Sequence, residues 1–84
     1  MKWNVYIVRC NDESYYTGIT SNVERRIYEH NKSTSVGAKY TKTRRPVILV
    51  YCEIASSRSL ALKREASIKR LSREQKEKLI AQKL

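Results

Sequence analysis

Six residues of the chain are tyrosine and none is phenylalanine. A sheet needing only aromatic bulk would use both, so phenol oxygens have a use of their own. Tyr6 and Tyr16 sit on the two most strand-like runs near the N-terminus, while Tyr15, Tyr28, Tyr40 and Tyr51 read as edge tyrosines with their tips in water. Over residues 22–31, at about 100° per residue, Val23, Ile27 and His30 fall on one arc, with Arg26 on its border and Arg25 on the far side. An arginine and the only imidazole of the chain therefore lie side by side, at i and i+4, facing inward. A hydrogen-bonded histidine closing a helix and an arginine in a surface ion pair fit that pattern equally well. Glu65 is the third oddity, the one carboxylate in an apolar stripe of Leu60, Ala61, Ile68 and Leu71. An inward carboxylate needs a cation or donors. Lys69, one turn on, supplies a cation, and a divalent metal ion would serve as well.

The elements that must position these groups are legible in outline. Residues 3–9, "WNVYIVR", and 15–19, "YYTGI", predict an antiparallel hairpin with a loop of four or five residues. Gly18 reads as a turn glycine, and Ser21-Asn22-Val23-Glu24 as a capping box in which Ser21 accepts from an early backbone N–H and Glu24 reaches back. The segment "NKSTSVGAKYTKTRRP" reads as a loop. "VILVYCEI", 47–54, is apolar at both parities and predicts a central third strand covered on both faces by helices. Ser56-Ser57 caps a helix to about Leu71, and Ser72-Arg73-Glu74-Gln75 opens a last one. The order is β-β-α-β-α-α, an α+β domain.

At 84 residues the chain holds one domain, 1–84, of a size where a single core is only just sufficient. The longest apolar run, Val47 to Cys52, is far too short to span a bilayer. "MKWNVYIVRC" lacks the apolar h-region and cleavage site of a signal peptide, so cytoplasm is the default. Cys10 and Cys52 end strand-like runs and read as small buried thiols; with no CxxC and one histidine, structural zinc is excluded. The net charge of +10 is unevenly placed. Residues 1–30 are neutral, whereas 31–46 carry Lys32, Lys39, Lys42, Arg44 and Arg45 with no acid, and 58–84 hold nine bases against three acids. One positive face is the usual footprint of a polyanion site, which favours nucleic acid over an acidic membrane or protein.

Taken in order, Asn4-Val5-Tyr6, Tyr16-Thr17-Gly18, Arg26 and Glu65 resemble the GIY-YIG nuclease superfamily, in particular its small standalone bacterial members of the UPF0213-like kind. "TGITSNVERRIYEHN", "GAKYTKTRRP" and "RSLALKREASIKRLSREQKEKL" extend the resemblance over nearly the whole chain. It implies a three-stranded antiparallel sheet flanked by helices and a metal-dependent endonuclease acting on DNA, work of the kind done in repair or recombination. One Mg²⁺ or Mn²⁺, weakly held without substrate, would sit on Glu65. Tyr6 and Tyr16 would flank the attacking water, one as general base and the other positioning it. A free phenol has a pKa of about 10, so a tyrosine base needs help from a metal or a cation. Arg26 would stabilise charge on the phosphoryl oxygens, His30 would assist the same network, and Gly18 would let the backbone turn close by. Lys32, Lys39, Lys42, Arg44 and Arg45 would bind the nucleic acid. The chain departs from the pattern at Asn4, usually Gly, and at Thr17, usually Ile. Many members carry an Asn about a dozen residues past the metal Glu; here that region holds Glu77, and the last Asn is Asn31.

So small a domain reads little sequence, and branched, flapped or nicked DNA, or a partner protein for targeting, is expected. The chain is expected to be a monomer in isolation and to bind no membrane. A non-catalytic nucleic-acid-binding adaptor with the same fold and basic face is the competing reading, and a basic RNA- or ribosome-associated protein the third.

Overall fold

A computed structural model describes residues 2–32 and 39–82, without the side chain of Lys39. Its elements are β1 (Trp3–Arg9), β2 (Tyr15–Thr20), α1 (Val23–Lys32), the short α2 (Lys39–Lys42), β3 (Ile48–Ala55), α3 (Arg58–Lys69) and α4 (Arg73–Ala81). The three strands form one antiparallel sheet in the order β2-β1-β3.

The centre of the sheet is β1, not β3. Val5, Tyr6, Ile7 and Val8 are all buried, because side chains alternate and both faces of β1 are covered. Val5 and Ile7 pack with Tyr51, Ala61 and Ile68, under α3 and the Leu79 and Ile80 side chains of α4. Tyr6 and Val8 pack on the other face with Cys10, Val47, Tyr16 and Ile27 of α1. The third strand is an edge, with Ile48, Leu49 and Ile54 exposed. β1 and β3 are both apolar at both parities, so composition does not rank them. What ranks them is pairing: the hairpin fills one side of β1 and leaves the other to β3.

The caps follow the serines only in the second half of the chain. Ser57 accepts from the Leu60 N–H, and Ser72 and Gln75 form a complete capping box. For α1 the cap is Asn22, whose Oδ1 accepts from the Arg25 N–H at 3.0 Å, one residue past the expected Ser21. Asn22 is in turn held by the Thr20 hydroxyl, which accepts from its N–H and donates to its carbonyl. Two apolar expectations also change. Leu60 is exposed rather than part of the α3 stripe, and Tyr51 is buried, its hydroxyl donating to Glu53. Arg64 donates to both Glu53 oxygens at 3.0 and 3.1 Å, clamping α3 to β3 one residue before Glu65. Cys10 and Cys52 are free thiols; Cys10 is buried as expected, whereas Cys52, opposite Tyr6 on the edge strand, is only half-buried.

Candidate active site

Gly18 is inside β2 and not at a turn; it lies directly opposite Tyr6 in the ladder. Opposed residues project to the same face, so the Tyr6 ring runs across the position where a Gly18 side chain would be. A Cβ at Gly18 would come within 2.6 Å of the Tyr6 hydroxyl oxygen, which is why only hydrogen fits there.

That path carries the phenol to α1. The Tyr6 hydroxyl lies 2.8 Å from His30 Nε2, and both residues are buried. Arg26, one turn before His30, shares a hydrogen bond with the same phenol and also donates to Glu29 at 3.1 Å. The side chain of Arg26 is 25% exposed and that of Arg25 is 62% exposed, the division expected from the helical wheel. Tyr16 packs T-shaped with the His30 ring at a centroid distance of 5.5 Å and stacks on Tyr40 at 5.8 Å. Tyr6, Tyr16, Arg26 and His30 are therefore brought together. Burial pushes the Tyr6 hydroxyl up to about 12, with Arg26 opposing, and pushes His30 down to about 4, with the Arg26 charge adding to the effect. Both groups are neutral at pH 7. Both shifts oppose moving the phenol proton onto the imidazole in the resting protein.

The C-terminal end of α1 is fastened by the segment after it. Arg45 donates to the His30 carbonyl and, at 3.3 Å, to that of Glu29, meeting carbonyls a helix end leaves unsatisfied. The Asn31 amide donates to the Val47 carbonyl and accepts from the Val47 N–H. Arg44 lies over the Tyr40 ring at 3.9 Å and pairs with Asp12 at 3.0 Å, tying this segment to the hairpin loop. Of the five basic residues singled out for nucleic acid, Lys32 and Lys42 are exposed, Arg44 and Arg45 are engaged within the fold, and the Lys39 side chain lies outside the described residues.

Glu65 stands apart from the hydrogen-bonded group. Its helix covers the Val5/Ile7 face, its carboxylate pairs with Lys69 at 3.6 Å, and its charge is close enough to raise the Tyr6 pKa. Among the described residues no three His, Cys, Asp or Glu side chains are grouped to hold a metal. A lone, largely covered carboxylate fits an ion that keeps most of its water and completes its shell with substrate phosphate, as Mg²⁺ does. Glu77 is held elsewhere, accepting from the Tyr15 hydroxyl at 3.4 Å and pairing with Arg73 at 3.5 Å.

One member of the cluster was not anticipated. Thr41 of α2 is fully buried, with Oγ1 2.8 Å from His30 Nδ1. In the sequence it is one polar residue in a loop-like stretch, and no periodicity sets it apart.

Comparison with known proteins supplies the family. The GIY-YIG catalytic domain matches residues 2–78, from β1 into α4, and the chain belongs to that family, a nuclease superfamily. Within it, the relatives are UPF0213 proteins. That of Staphylococcus haemolyticus is 61% identical over 79 residues, 94% of each chain. That of Desulfotalea psychrophila is 56% identical over 78 residues, 93% of this chain and 70% of the other. The solution NMR structure of a UPF0213 protein from Bacillus halodurans matches with a TM-score of 0.63 at 43% identity, over 99% of this chain and 86% of that one.

Proposed function

We propose that the chain is a Mg²⁺- or Mn²⁺-dependent DNA endonuclease that hydrolyses phosphodiester bonds, with weak sequence specificity or a preference for branched or nicked DNA. It acts as a one-domain monomer in the cytoplasm, with a partner protein for targeting where selectivity is needed. The reading is carried by one observation: a buried phenol, Tyr6, hydrogen-bonded to both His30 Nε2 and Arg26. A phenol held between a donor and a proton acceptor has the partners within hydrogen-bond reach that general acid–base chemistry requires.

Tyr16, half-buried against the His30 ring, positions the attacking water. Tyr6 accepts the water proton while passing its own to His30 Nε2, so that the water oxygen bonds to phosphorus as the bond to the leaving oxygen breaks. The leaving oxygen takes a proton from solvent. Arg26 faces the phosphoryl oxygens, and its planar fork suits them. Its charge is one reason that His30 is so weak a base in the resting protein. A phosphate paired with Arg26 offsets that charge, so substrate strengthens the proton acceptor. Glu65 holds the divalent ion, which when bound supplies Lewis-acid stabilisation of the phosphoryl charge. Lys32 and Lys42 attract the DNA backbone, with Lys39 beside them in sequence.

The adaptor reading keeps one observation of its own. Glu65 is already paired with Lys69, and among the described residues it belongs to no group of three His, Cys, Asp or Glu side chains that could hold a metal ion. Incubating the protein with Mg²⁺ or Mn²⁺ and a panel of linear, nicked, flapped and branched DNA separates the two. Metal-dependent cutting that a chelator stops supports the endonuclease. Binding to the panel without cutting in either metal supports the adaptor.

A further inference from the structure

The proton inventory of the Tyr6–His30–Thr41 chain has one consistent arrangement. Arg26 can only donate, so the Tyr6 oxygen accepts from it. The phenol still has its own O–H, which is buried and needs an acceptor. His30 Nε2, at 2.8 Å, provides one. A neutral imidazole has one N–H, which must then be on Nδ1, where Thr41 Oγ1 waits at 2.8 Å. The opposite tautomer would put Nε2–H and Arg26 both on the Tyr6 oxygen and leave the buried phenol proton to find another acceptor.

We infer that Thr41 is a positioning residue of the active site: it accepts the Nδ1 proton of His30 and so holds the imidazole in the tautomer whose Nε2 lone pair faces Tyr6. A hydroxyl can do this while donating its own proton elsewhere, so the role does not restrict its other interactions. Which ring nitrogen is free is decided by the bond that the other makes; partners that fix metal-bound histidines in this way typically matter 10- to 100-fold, and the same scale is taken for His30. The consequence is specific to this fold. Thr41 sits between Tyr40, which stacks on Tyr16, and Lys42, which is exposed for nucleic acid. The short helix α2 thus supports both phenols of the site, one through a ring and one through a histidine. The inference rests on the proton relay proposed above, but its first test needs no substrate.

The chain has one histidine, so its ¹⁵N imidazole spectrum has no overlap. In the wild-type protein at neutral pH, Nδ1 should show a pyrrole-type shift and Nε2 a pyridine-type shift. Thr41→Val keeps the shape and removes the acceptor; it should populate the Nε2–H tautomer and lower the cutting rate about 10- to 100-fold with DNA affinity unchanged. Thr41→Ser should restore both the tautomer and the rate. An Nε2–H tautomer in the wild-type protein overturns the inference, as does a Thr41→Val protein that keeps Nδ1–H and full rate. Where Thr41→Val does not fold, the wild-type spectrum and Thr41→Ser decide: Nδ1–H in both supports the assignment, and Nε2–H in either refutes it. Should the wild-type protein cut nothing, the relay fails while the tautomer assignment is still decided by the spectrum.

Discussion

The Tyr6 ring crosses Gly18, its partner on the neighbouring strand, so closely that a methyl group at position 18 would meet the phenol oxygen at 2.6 Å and its ring carbon at 2.8 Å. The glycine is thus a slot for the Tyr6 side chain. Gly18→Ala should displace the phenol from His30, removing a buried hydrogen bond and overpacking the site, at a cost of about 1–3 kcal/mol in stability. Chemical denaturation measures that cost. Loss of cutting beyond the fraction unfolded should accompany it.

Adjacent arginines should behave differently. Arg26 touches the phenol, whereas Arg25 is largely exposed and, among the described residues, reaches only Glu29, at 3.9 Å. Arg26→Ala should lower the rate by about 10²–10³, the scale for one transition-state donor, and Arg26→Lys should rescue poorly because an ammonium lacks the bidentate fork. Arg25→Ala should change only DNA affinity, by about one phosphate contact. Single-turnover rates with saturating protein make the comparison, and each Ala variant removes the same unit of charge.

Stability should fall on the acid side for a stated reason. The pKa of His30 in the fold is depressed to about 4, by burial first and then by Arg26, while Glu29 opposes and Arg45 adds to the depression. Between pH 4 and 6.5 the unfolded chain therefore binds a proton that the fold does not, and stability rises with pH across that window. The full effect is on the order of 3 kcal/mol, present above pH 6.5 and lost by about pH 4. On the alkaline side Tyr6, raised to about 12, makes stability fall as pH climbs above 10. Urea titrations from pH 4 to 8 should show the acid slope, and His30→Gln should flatten it.

Binding should be electrostatic and mostly blind to sequence. Affinity should fall with salt by a log–log slope of roughly −0.7 to −0.9 per phosphate neutralised. Reversing the exposed Lys32 and Lys42 should flatten the slope. Reversing Arg45 should instead unfold the end of α1, because that guanidinium is donated to the His30 and Glu29 carbonyls. Titrations at several salt concentrations, with circular dichroism of each variant, separate the two outcomes.

The inward arc of α1, the hairpin and the cap serines of α3 and α4 were legible because each is a local pattern with a fixed period or offset. Sheet order was not, since β1 and β3 are equally apolar and only long-range pairing makes one central. Asn22 displaced Ser21 as the cap for a comparable reason: both are good caps, and the tie is broken by Thr20, whose hydroxyl holds the Asn22 backbone. Gly18 was found for its type and misread for its purpose, because its constraint comes from another strand. Thr41 was missed altogether, since its role exists only through a contact with His30 across eleven positions.

The central claim is that Glu65 and Tyr6 serve chemistry rather than stability, and single-turnover cutting of one DNA substrate in Mg²⁺ by the wild type, Glu65→Gln and Tyr6→Phe tests it most directly, with binding and melting measured on the same samples. Glu65→Gln should abolish cutting, and Tyr6→Phe should lower it by about 10²–10⁴, the range for a general acid–base group. Both variants should bind DNA as the parent does, and Glu65→Gln should melt near the parent temperature. A Glu65→Gln protein that cuts as fast as the wild type, or that mainly melts early because Lys69 has lost its partner, would contradict the account and favour a nucleic-acid adaptor built on a nuclease fold.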